Sequence, residues 1–192
     1  KYSLPTEAQW EYACRAGSGA AFSFGAGGAD FSAFANLADA KLTEFASDPY
    51  TVCTPLKDPT PYEDYIPKET RWNDRGLVTM AVGSYRPNAW GLHDLHGNVW
   101  EWTRSSYRPY PCLEMDGRND LARGERKVVR GGSWRDRPER ARAAYRLAYQ
   151  PWQAVFNVGF RVVCETGAAA EQVALPAPGE LAARATTAGA PR

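Results

Sequence analysis

Two carboxylates lie on either side of a turn, where they could hold a cation. Asp94 and Glu101 are seven residues apart, and Gly97-Asn98 between them favours a tight reversal of the backbone. Calcium binds about six to eight oxygen atoms, taken from carboxylates, amides and main-chain carbonyls. A chain that folds both carboxylates back to one point could therefore hold a hard cation. The alternative is that both side chains simply face water.

The same turn carries the only two histidines of the chain, His93 and His96. Two imidazoles at positions i and i+3 could share a transition metal, but they leave its ligand set incomplete. The alternative is one packed and one exposed histidine. The pair alone therefore predicts no metal centre.

The four cysteines, Cys14, Cys53, Cys112 and Cys164, are widely spaced. Because none of them forms a C-x-x-C pair, a zinc knuckle or a thioredoxin-type site is not expected. An even number of cysteines permits disulfides and an extracytoplasmic location. Buried free thiols are the alternative.

Charge and composition exclude several classes of partner. The 192 residues carry a net charge of +1, which favours neither nucleic-acid nor membrane binding. No apolar run approaches the ~20 residues that a membrane-spanning helix needs. The hydrophobic content of 44% and the aromatic content of 12% are typical of a packed globular domain.

A helix is predicted near the start of the chain. The segment Thr6–Gln9 is a capping box, good helix formers continue to Arg15, and Gly17 is placed to end the helix. One face of this helix should pack inward, and it carries Trp10, Ala13 and Cys14.

Short strands and long loops are predicted for the rest of the chain. The strand candidates are Val78–Val82, the end of the segment Leu92–Thr103, Lys127–Arg130, and Val158–Cys164. Residues 38–72 are predicted to form an irregular excursion and residues 135–157 a long ordered loop. Residues 165–192 have no aromatic side chain, so this tail should be flexible or lie on a neighbouring surface.

Four segments resemble the formylglycine-generating enzyme (sulfatase-modifying factor) family. They are Leu4–Ala13, Gly91–Trp102, Arg130–Trp134 and Asn157–Arg161, in the family's order and spacing. The resemblance implies that residues 1–164 form an α+β domain with that family's variant of the C-type lectin fold. Such a domain has a small twisted antiparallel sheet, few helices and long irregular loops.

One part of the family's domain is missing from this sequence. Family domains carry a strand and a first helix before the Leu-Pro-Thr-Glu segment that begins here at Leu4. We therefore expect that a longer protein or another chain of a larger complex supplies the missing N-terminal part.

The resemblance also implies two structural calcium sites. One consists of Asp94, the carbonyls of Gly97 and Val99, and Glu101. The other consists of Asn36, the carbonyl of Leu37, Asp74 and the carbonyl of Gly76. These ions would tie loops together rather than activate a substrate.

Copper, by contrast, is not expected. Formylglycine generators oxidise a substrate cysteine with oxygen at a copper ion, which is held by two cysteines in the loop after the Gly-Gly-Ser segment. In this sequence the two positions are Asp136 and Ala141, and neither offers the soft sulfur ligand that Cu(I) prefers. No residue is therefore assigned a catalytic role. The related iron-dependent sulfoxide synthases use histidines of a separate helical domain, which this chain lacks.

The family enzyme also has a disulfide between the Leu-Pro-Thr-Glu helix and the last strand. By that resemblance Cys14 and Cys164 could form a bridge. Free structural thiols are the alternative.

The loop after the Gly-Gly-Ser segment is the candidate ligand surface. In the family this region lines the substrate groove, and arginine, tyrosine and tryptophan are the residue types that anchor protein interfaces. The candidates are Ser133, Trp134, Arg135, Asp136, Arg137, Arg140, Tyr145, Tyr149, Trp152 and Phe156. Ordinary ion pairs and core packing are the alternative explanation for this composition.

Three functions follow from these observations. The first is a non-catalytic member of the family that binds a protein or peptide or serves as an assembly subunit. The second is an oxidoreductase that uses another metal or a partner domain. The third is a ligand-displaying variable protein of a diversity-generating retroelement, a branch that uses the same loop.

Overall fold

Few regular elements support a large proportion of loop. The computed structural model describes residues 1–45, 69–113, 116–120 and 124–164. Its elements are β1 (Tyr2–Ser3), α1 (Glu7–Arg15), a 3-10 helix (Ala40–Phe45), β2 (Trp100–Ser106), β3 (Lys127–Arg130), a second 3-10 helix (Pro138–Ala141), β4 (Leu147–Tyr149), β5 (Val158–Phe160) and β6 (Val163–Cys164). The predicted tail, 165–192, and residues 46–68 of the predicted excursion lie outside the described residues.

Residues Ser3–Val163 form one compact unit, which contains the main sheet and the core. The chain ends contribute a second unit, of which Lys1, Tyr2 and Cys164 are described. The short strands β1 and β6 pair as a two-stranded sheet. Within the described ranges, no helix is long and apolar enough to cross a membrane.

The capping box starts α1 as predicted. The Thr6 hydroxyl accepts from the Gln9 N–H at 3.1 Å, and the Thr6 N–H donates to the Gln9 side chain at 2.9 Å. The helix ends at Ala16, which has the left-handed conformation one residue before the expected Gly17. On the predicted inward face, Trp10 and Cys14 are buried and Ala13 is half-buried.

The main sheet has the strand order β4-β3-β2-β5. The pairs β2–β3 and β3–β4 are antiparallel, whereas β5 pairs with β2 in parallel. The expected antiparallel sheet is therefore mixed. The long connection from β2 through β3 and β4 allows β5 to run in the same direction as β2. The central strand β3 is buried along its whole length, and α1 packs against β2 and β3.

Three sequence-based assignments of strand and loop were wrong. Val78–Val82 is an irregular segment, held by side-chain amides rather than by a strand: the Asn36 amide donates to the Val78 carbonyl, and the Asn98 side chain bonds both the N–H and the carbonyl of Met80. The closing strand Val158–Cys164 is split into β5 and β6, which join different sheets. The loop over 135–157 contains a 3-10 helix and β4.

A close steric constraint on the backbone lies at Gly97. It has a φ of 77°, and a Cβ at this position would lie 2.2 Å from the Asn36 carbonyl oxygen. Gly83 has a similar φ of 79° but no atom within 4 Å of such a Cβ. Comparing a substitution at Gly83 with one at Gly97 therefore separates the cost of backbone strain from the cost of steric overlap.

We expect Gly83→Ala to cost about 1 kcal/mol of unfolding free energy, the usual cost of a left-handed residue with a side chain. Gly97→Ala should cost roughly 4 kcal/mol, because the Asn36 segment must also move. Urea unfolding of both variants measures the difference. Equal losses would show that the contact between Gly97 and Asn36 imposes no constraint.

Candidate functional site

The carboxylate of Glu101, a predicted calcium ligand, is already bound by donors. It is buried, and its Oε2 accepts from the Trp10 indole at 2.6 Å and from Arg161 Nε at 2.5 Å. Oε1 accepts from Arg161 Nη2 at 2.5 Å. Arg161 therefore supplies the counter-charge to Glu101. Only lone pairs that these donors leave free could bind a metal.

Asp94, the predicted partner of Glu101, lies in the turn with a left-handed φ of 58°. Its Oδ2 accepts from the Gly83 N–H at 2.7 Å. Its Oδ1 is buried without a hydrogen-bond partner in the part of the chain that the structure describes. The carbonyls of Gly97 and Val99 remain predicted ligands of this site. Asp94 thus offers one available oxygen, whereas Glu101 is largely satisfied.

The second predicted site brings its residues together more closely. Asp74 Oδ2 accepts from the Leu37 N–H at 2.6 Å, and its Oδ1 accepts from the Gly76 N–H at 2.7 Å. A Cβ on Gly76 would lie 2.8 Å from Asn36 Oδ1. Asn36 is fully buried, and its Oδ1 has no hydrogen-bond partner among the described residues. Asn36 and Asp74 thus both lie close to Gly76 in the protein interior, and the Asn36 oxygen is the one of these that has no donor among the described residues.

Two further residues of this cluster were missed from the sequence. Asp39 is fully buried, and its Oδ2 accepts from the Asp74 N–H. The Tyr85 hydroxyl donates to the Asp74 carbonyl at 3.2 Å. Burial raises the pKa of Asp74 to about 7, the N–H donors of Leu37 and Gly76 oppose this shift, and the nearby Asp39 carboxylate adds to it. Asp39 follows Asn36 by three residues, and that spacing was the available signal.

The two histidines bind different groups of the protein rather than one shared metal. His93 Nδ1 lies 2.7 Å from the Tyr85 carbonyl, whereas His96 Nδ1 lies 2.8 Å from the Ala141 carbonyl. The Ser23 N–H donates to His96 Nε2 at 3.0 Å, so the proton of this neutral ring is on Nδ1. Among the described residues, no three His, Cys, Asp or Glu side chains converge to hold a metal.

The described cysteines are free thiols, so the Cys14–Cys164 bridge is not formed. Cys14 is buried, with its Sγ 3.7 Å from the Leu95 carbonyl and 3.4 Å from His96 Nε2. Burial raises the pKa of Cys14 to about 12, which leaves a protonated and unreactive thiol. Cys112 and Cys164 are exposed, and Cys53 lies outside the described residues.

Asp136, at the first of the two copper-ligand positions, is bound by protein donors. It is buried, and its Oδ2 accepts from the Trp100 indole at 2.8 Å and from the Ser133 hydroxyl at 2.5 Å. Arg140 lies 3.2 Å from Oδ1, and the Asn157 amide donates to the Ser133 hydroxyl at 2.9 Å. These bonds connect the loop to β2 and to the residue before β5.

Ala141, at the second copper-ligand position, is fully buried. A Cβ on Gly132 would lie 3.0 Å from its Cα and Cβ, so the chain is tightly packed here. The Ala141 carbonyl is bound by His96. Close packing and a hydrogen bond to the main chain thus fix the backbone at Ala141.

The residues of the predicted ligand surface differ in their exposure to solvent. Ser133, Trp134 and Asp136 are buried, so they shape the loop rather than face a partner. Arg135, Arg137, Tyr145 and Tyr149 are half-buried, and Arg140, Trp152 and Phe156 are exposed. The Arg135 guanidinium stacks 4.8 Å from the centre of the Phe156 ring. The ring centres of Tyr145 and Trp100 are 5.9 Å apart.

Comparison with known proteins identifies relatives of the whole domain. The profile of the family described as "Sulfatase-modifying factor enzyme 1-like domain" matches residues 1–166. The chain is 30% identical over 171 residues to the inactive C-alpha-formylglycine-generating enzyme 2 of Mus musculus, covering 85% of this chain and 43% of that protein. It is also 30% identical to the formylglycine-generating enzyme of Streptomyces coelicolor, covering 88% and 49%. The chain thus spans less than half the length of these curated relatives.

Solved structures support the same fold. Treponema denticola variable protein 1 superposes with a TM-score of 0.59 at 22% identity, covering 84% of this chain and 46% of that chain. PvdO from Pseudomonas aeruginosa superposes with a TM-score of 0.55 at 26% identity, covering 84% and 51%. The predicted α+β variant of the C-type lectin fold is therefore confirmed.

His96 makes the stability of the domain depend on pH. Burial lowers the pKa of His96 to about 4, below its usual 6.5; the bond to Ala141 opposes this shift, and the charge of Arg15 adds to it. As the pH falls, His96 is therefore protonated in the unfolded chain before it is protonated in the folded chain. The stabilisation is complete above pH ~6.5 and falls by up to about 3 kcal/mol as the pH drops towards 4.

We expect His96→Gln to flatten the decrease of unfolding free energy between about pH 7 and pH 4. His93→Gln is the matched control and should keep the slope of the parent chain. Urea unfolding at a series of pH values measures both. Parallel curves for the parent chain and His96→Gln would contradict the assignment.

Proposed function

Since the chain belongs to the sulfatase-modifying factor family, we propose that it is a non-catalytic member that acts as a binding or assembly module. The family's copper chemistry depends on two cysteines, and Asp136 and Ala141 stand at their positions. We propose that this loop has kept its architecture and exchanged metal ligation for hydrogen bonding and packing. Its partner would be a protein or a peptide.

The hydrogen bonds of Asp136 carry this proposal. A carboxylate is a hard ligand, and one Asp136 oxygen already accepts from Trp100 and Ser133 while the other faces Arg140. Ala141 has no ligating atom in its side chain. The residues at the two positions therefore do not fit a copper(I) ion, which needs soft sulfur. The buried, protonated Cys14 does not replace them.

Sequence identity alone does not distinguish an active from an inactive member. A relative named as an inactive C-alpha-formylglycine-generating enzyme 2 and a relative named as a formylglycine-generating enzyme are each 30% identical to this chain. The distinction therefore rests on the loop residues. Because the chain spans less than half of either relative, the activity and partners of a whole protein remain part of the proposal.

We also propose that Asn36, Leu37, Asp74 and Gly76 hold a structural calcium ion. Asn36 Oδ1 is a buried oxygen without a hydrogen-bond partner in the described ranges, and it lies close to Gly76. The Gly76 N–H donates to the Asp74 carboxylate, and the Asp74 N–H donates to the Asp39 carboxylate. A cation would offset the cost of burying these groups together. At the Asp94 and Glu101 site the support is weaker, because Arg161 already neutralises Glu101.

The proposal is tested by copper(I) titration with a competing chelator, combined with an assay for oxidation of a cysteine-containing peptide. We expect the parent chain neither to bind copper(I) in this loop nor to oxidise the peptide, because the loop lacks soft ligands. Oxidation that depends on any metal would favour the oxidoreductase alternative and overturn the proposal.

A double variant, Asp136→Cys with Ala141→Cys, is the positive control for the assay. If the loop keeps the family's architecture, this variant should gain copper(I) affinity. A Cys14→Ala variant should behave like the parent chain, because its thiol is buried. Copper binding by the parent chain that is lost in Cys14→Ala would show that this thiol does ligate the metal.

Calcium should raise the melting temperature of the parent chain, since a ligand that binds only the folded state stabilises it by about 2.7 kcal/mol at a concentration 100-fold above its Kd. Asp74→Asn should lose most of this increase, because it removes a charge from the Asn36 cluster. Asp94→Asn tests the other site in the same way. An equal increase in the parent chain and in Asp74→Asn would contradict the first calcium site.

A further inference from the structure

Residues 78–83 form an irregular segment that is bound at each end by a residue of a candidate calcium site. At one end, the Asn36 amide donates to the Val78 carbonyl at 2.8 Å. At the other end, the Gly83 N–H donates to Asp94 Oδ2 at 2.7 Å. One side chain from each candidate site therefore holds one end of the same segment, which we call the strap.

The middle of the strap is held by a third side chain, that of Asn98. Its Oδ1 accepts from the Met80 N–H at 2.9 Å, and its Nδ2 donates to the Met80 carbonyl at 3.2 Å. Asn98 also connects the two sites, because its Oδ1 accepts from the Asn36 amide at 3.2 Å and its N–H donates to the Asn36 carbonyl at 2.8 Å. Among the described residues, no main-chain hydrogen bond joins the strap to a segment distant in the sequence.

The two side chains at the ends of the strap share one property. Each binds the strap through one terminal atom, and its other terminal atom is a buried oxygen without a partner among the described residues, Asn36 Oδ1 and Asp94 Oδ1. Asn36 is fully buried, and both of its amide hydrogens are used, by Val78 and by Asn98. It therefore cannot turn its oxygen to another donor without releasing the strap.

This arrangement links the strap to the unpartnered oxygens. A segment without regular structure that is held by a few side chains opens locally at a free energy below that of global unfolding. A cation on the free oxygen of Asn36 or Asp94 would fix that side chain, so its opposite atom would bind the strap at a lower cost in conformational entropy. Binding of a cation and closing of the strap would thus favour each other.

We propose that the strap is a closing segment that couples the two candidate calcium sites. With calcium bound, Asn36 and Asp94 hold both ends of the strap closed, and without calcium the strap opens locally. Because both sites hold one segment, calcium at one site raises the affinity of the other, and the coupling is reciprocal. This inference rests on the proposed calcium binding and adds its regulation.

Hydrogen exchange of main-chain amides, measured on the full chain with and without calcium, tests the proposal. The informative amides are those of Met80 and Gly83, which donate to Asn98 and Asp94. We expect saturating calcium to slow their exchange at least ~10-fold, because a ligand that binds the closed form reduces the population of the open form.

Two amides with the same type of hydrogen bond are the matched controls. The Trp90 N–H donates to Asn88 Oδ1 at 3.0 Å, and the Arg118 N–H donates to Asp116 Oδ1 at 2.9 Å. Neither bond involves the strap, so calcium should change their exchange less than ~2-fold. Equal slowing of the strap amides and the control amides would show an effect on the whole fold and would overturn the proposal.

Two conservative variants test the coupling, each at the amide that the other site holds. Asp94→Asn keeps an acceptor for the Gly83 N–H but places an amide group where the unpartnered oxygen lies. It should weaken calcium binding at the Asn36 site at least ~5-fold and reduce the slowing at Met80. Asp74→Asn should likewise reduce the slowing at Gly83. Unchanged affinity and exchange at the remaining site in both variants would show that the sites are independent.

Calorimetric titration with calcium separates this inference from the proposed calcium binding. Calcium that binds without slowing the exchange of Met80 and Gly83 would overturn the role of the strap and leave the calcium site standing. If the parent chain binds no calcium, the titration overturns the calcium site, and the role of the strap fails with it. Neither result bears on copper or on cysteine oxidation.

Discussion

The buried carboxylate of Glu101 connects several elements of the domain, and their arrangement depends on it. It lies on β2, accepts a hydrogen bond from Trp10 on α1, and pairs through both oxygens with Arg161, which follows β5. Arg161 in turn donates to the His93 carbonyl in the turn before β2. The helix α1, the strand β2 and the turn before β2 are thus all connected through the Glu101–Arg161 pair. Removing either ionic partner would leave an uncompensated buried charge, which is costly in a protein interior.

A second carboxylate organises the loop in a similar way. Asp136 joins Ser133, the Trp100 indole and Arg140, while its main-chain carbonyl accepts from the Ala38 N–H. The loop is therefore positioned by hydrogen bonds to the core. Under the proposed non-catalytic role, these bonds would hold the loop in the place of the family's metal ligands. They also separate the loop's buried, structural half from the exposed side chains that face outward.

Local signals predicted some elements well and others poorly. The capping box at Thr6 determined the start of α1, and the two valines of Lys127–Arg130 indicated β3, because both signals come from residues that are adjacent in the sequence. The Val78–Val82 segment has strand-like residues, yet the Asn36 and Asn98 side chains bind its backbone, and no local pattern encodes that. The three-residue strand β4 is defined by its pairing with β3 and has no period of its own.

The two predicted cation sites show what sequence spacing leaves out. From the sequence, Asp94 with Glu101 was the better pair, since it offers two carboxylates across one turn. A carboxylate supports a cation only through lone pairs that protein donors leave free, and Arg161 and Trp10 take up most of those on Glu101. Asn36 is neutral and contributed little to the sequence argument. Its buried Oδ1 has no donor among the described residues and lies close to Gly76, whose N–H binds the Asp74 carboxylate. Each predicted site thus keeps one buried oxygen without a donor among the described residues, Asn36 Oδ1 in one and Asp94 Oδ1 in the other, and the two sites differ in that Arg161 already neutralises Glu101.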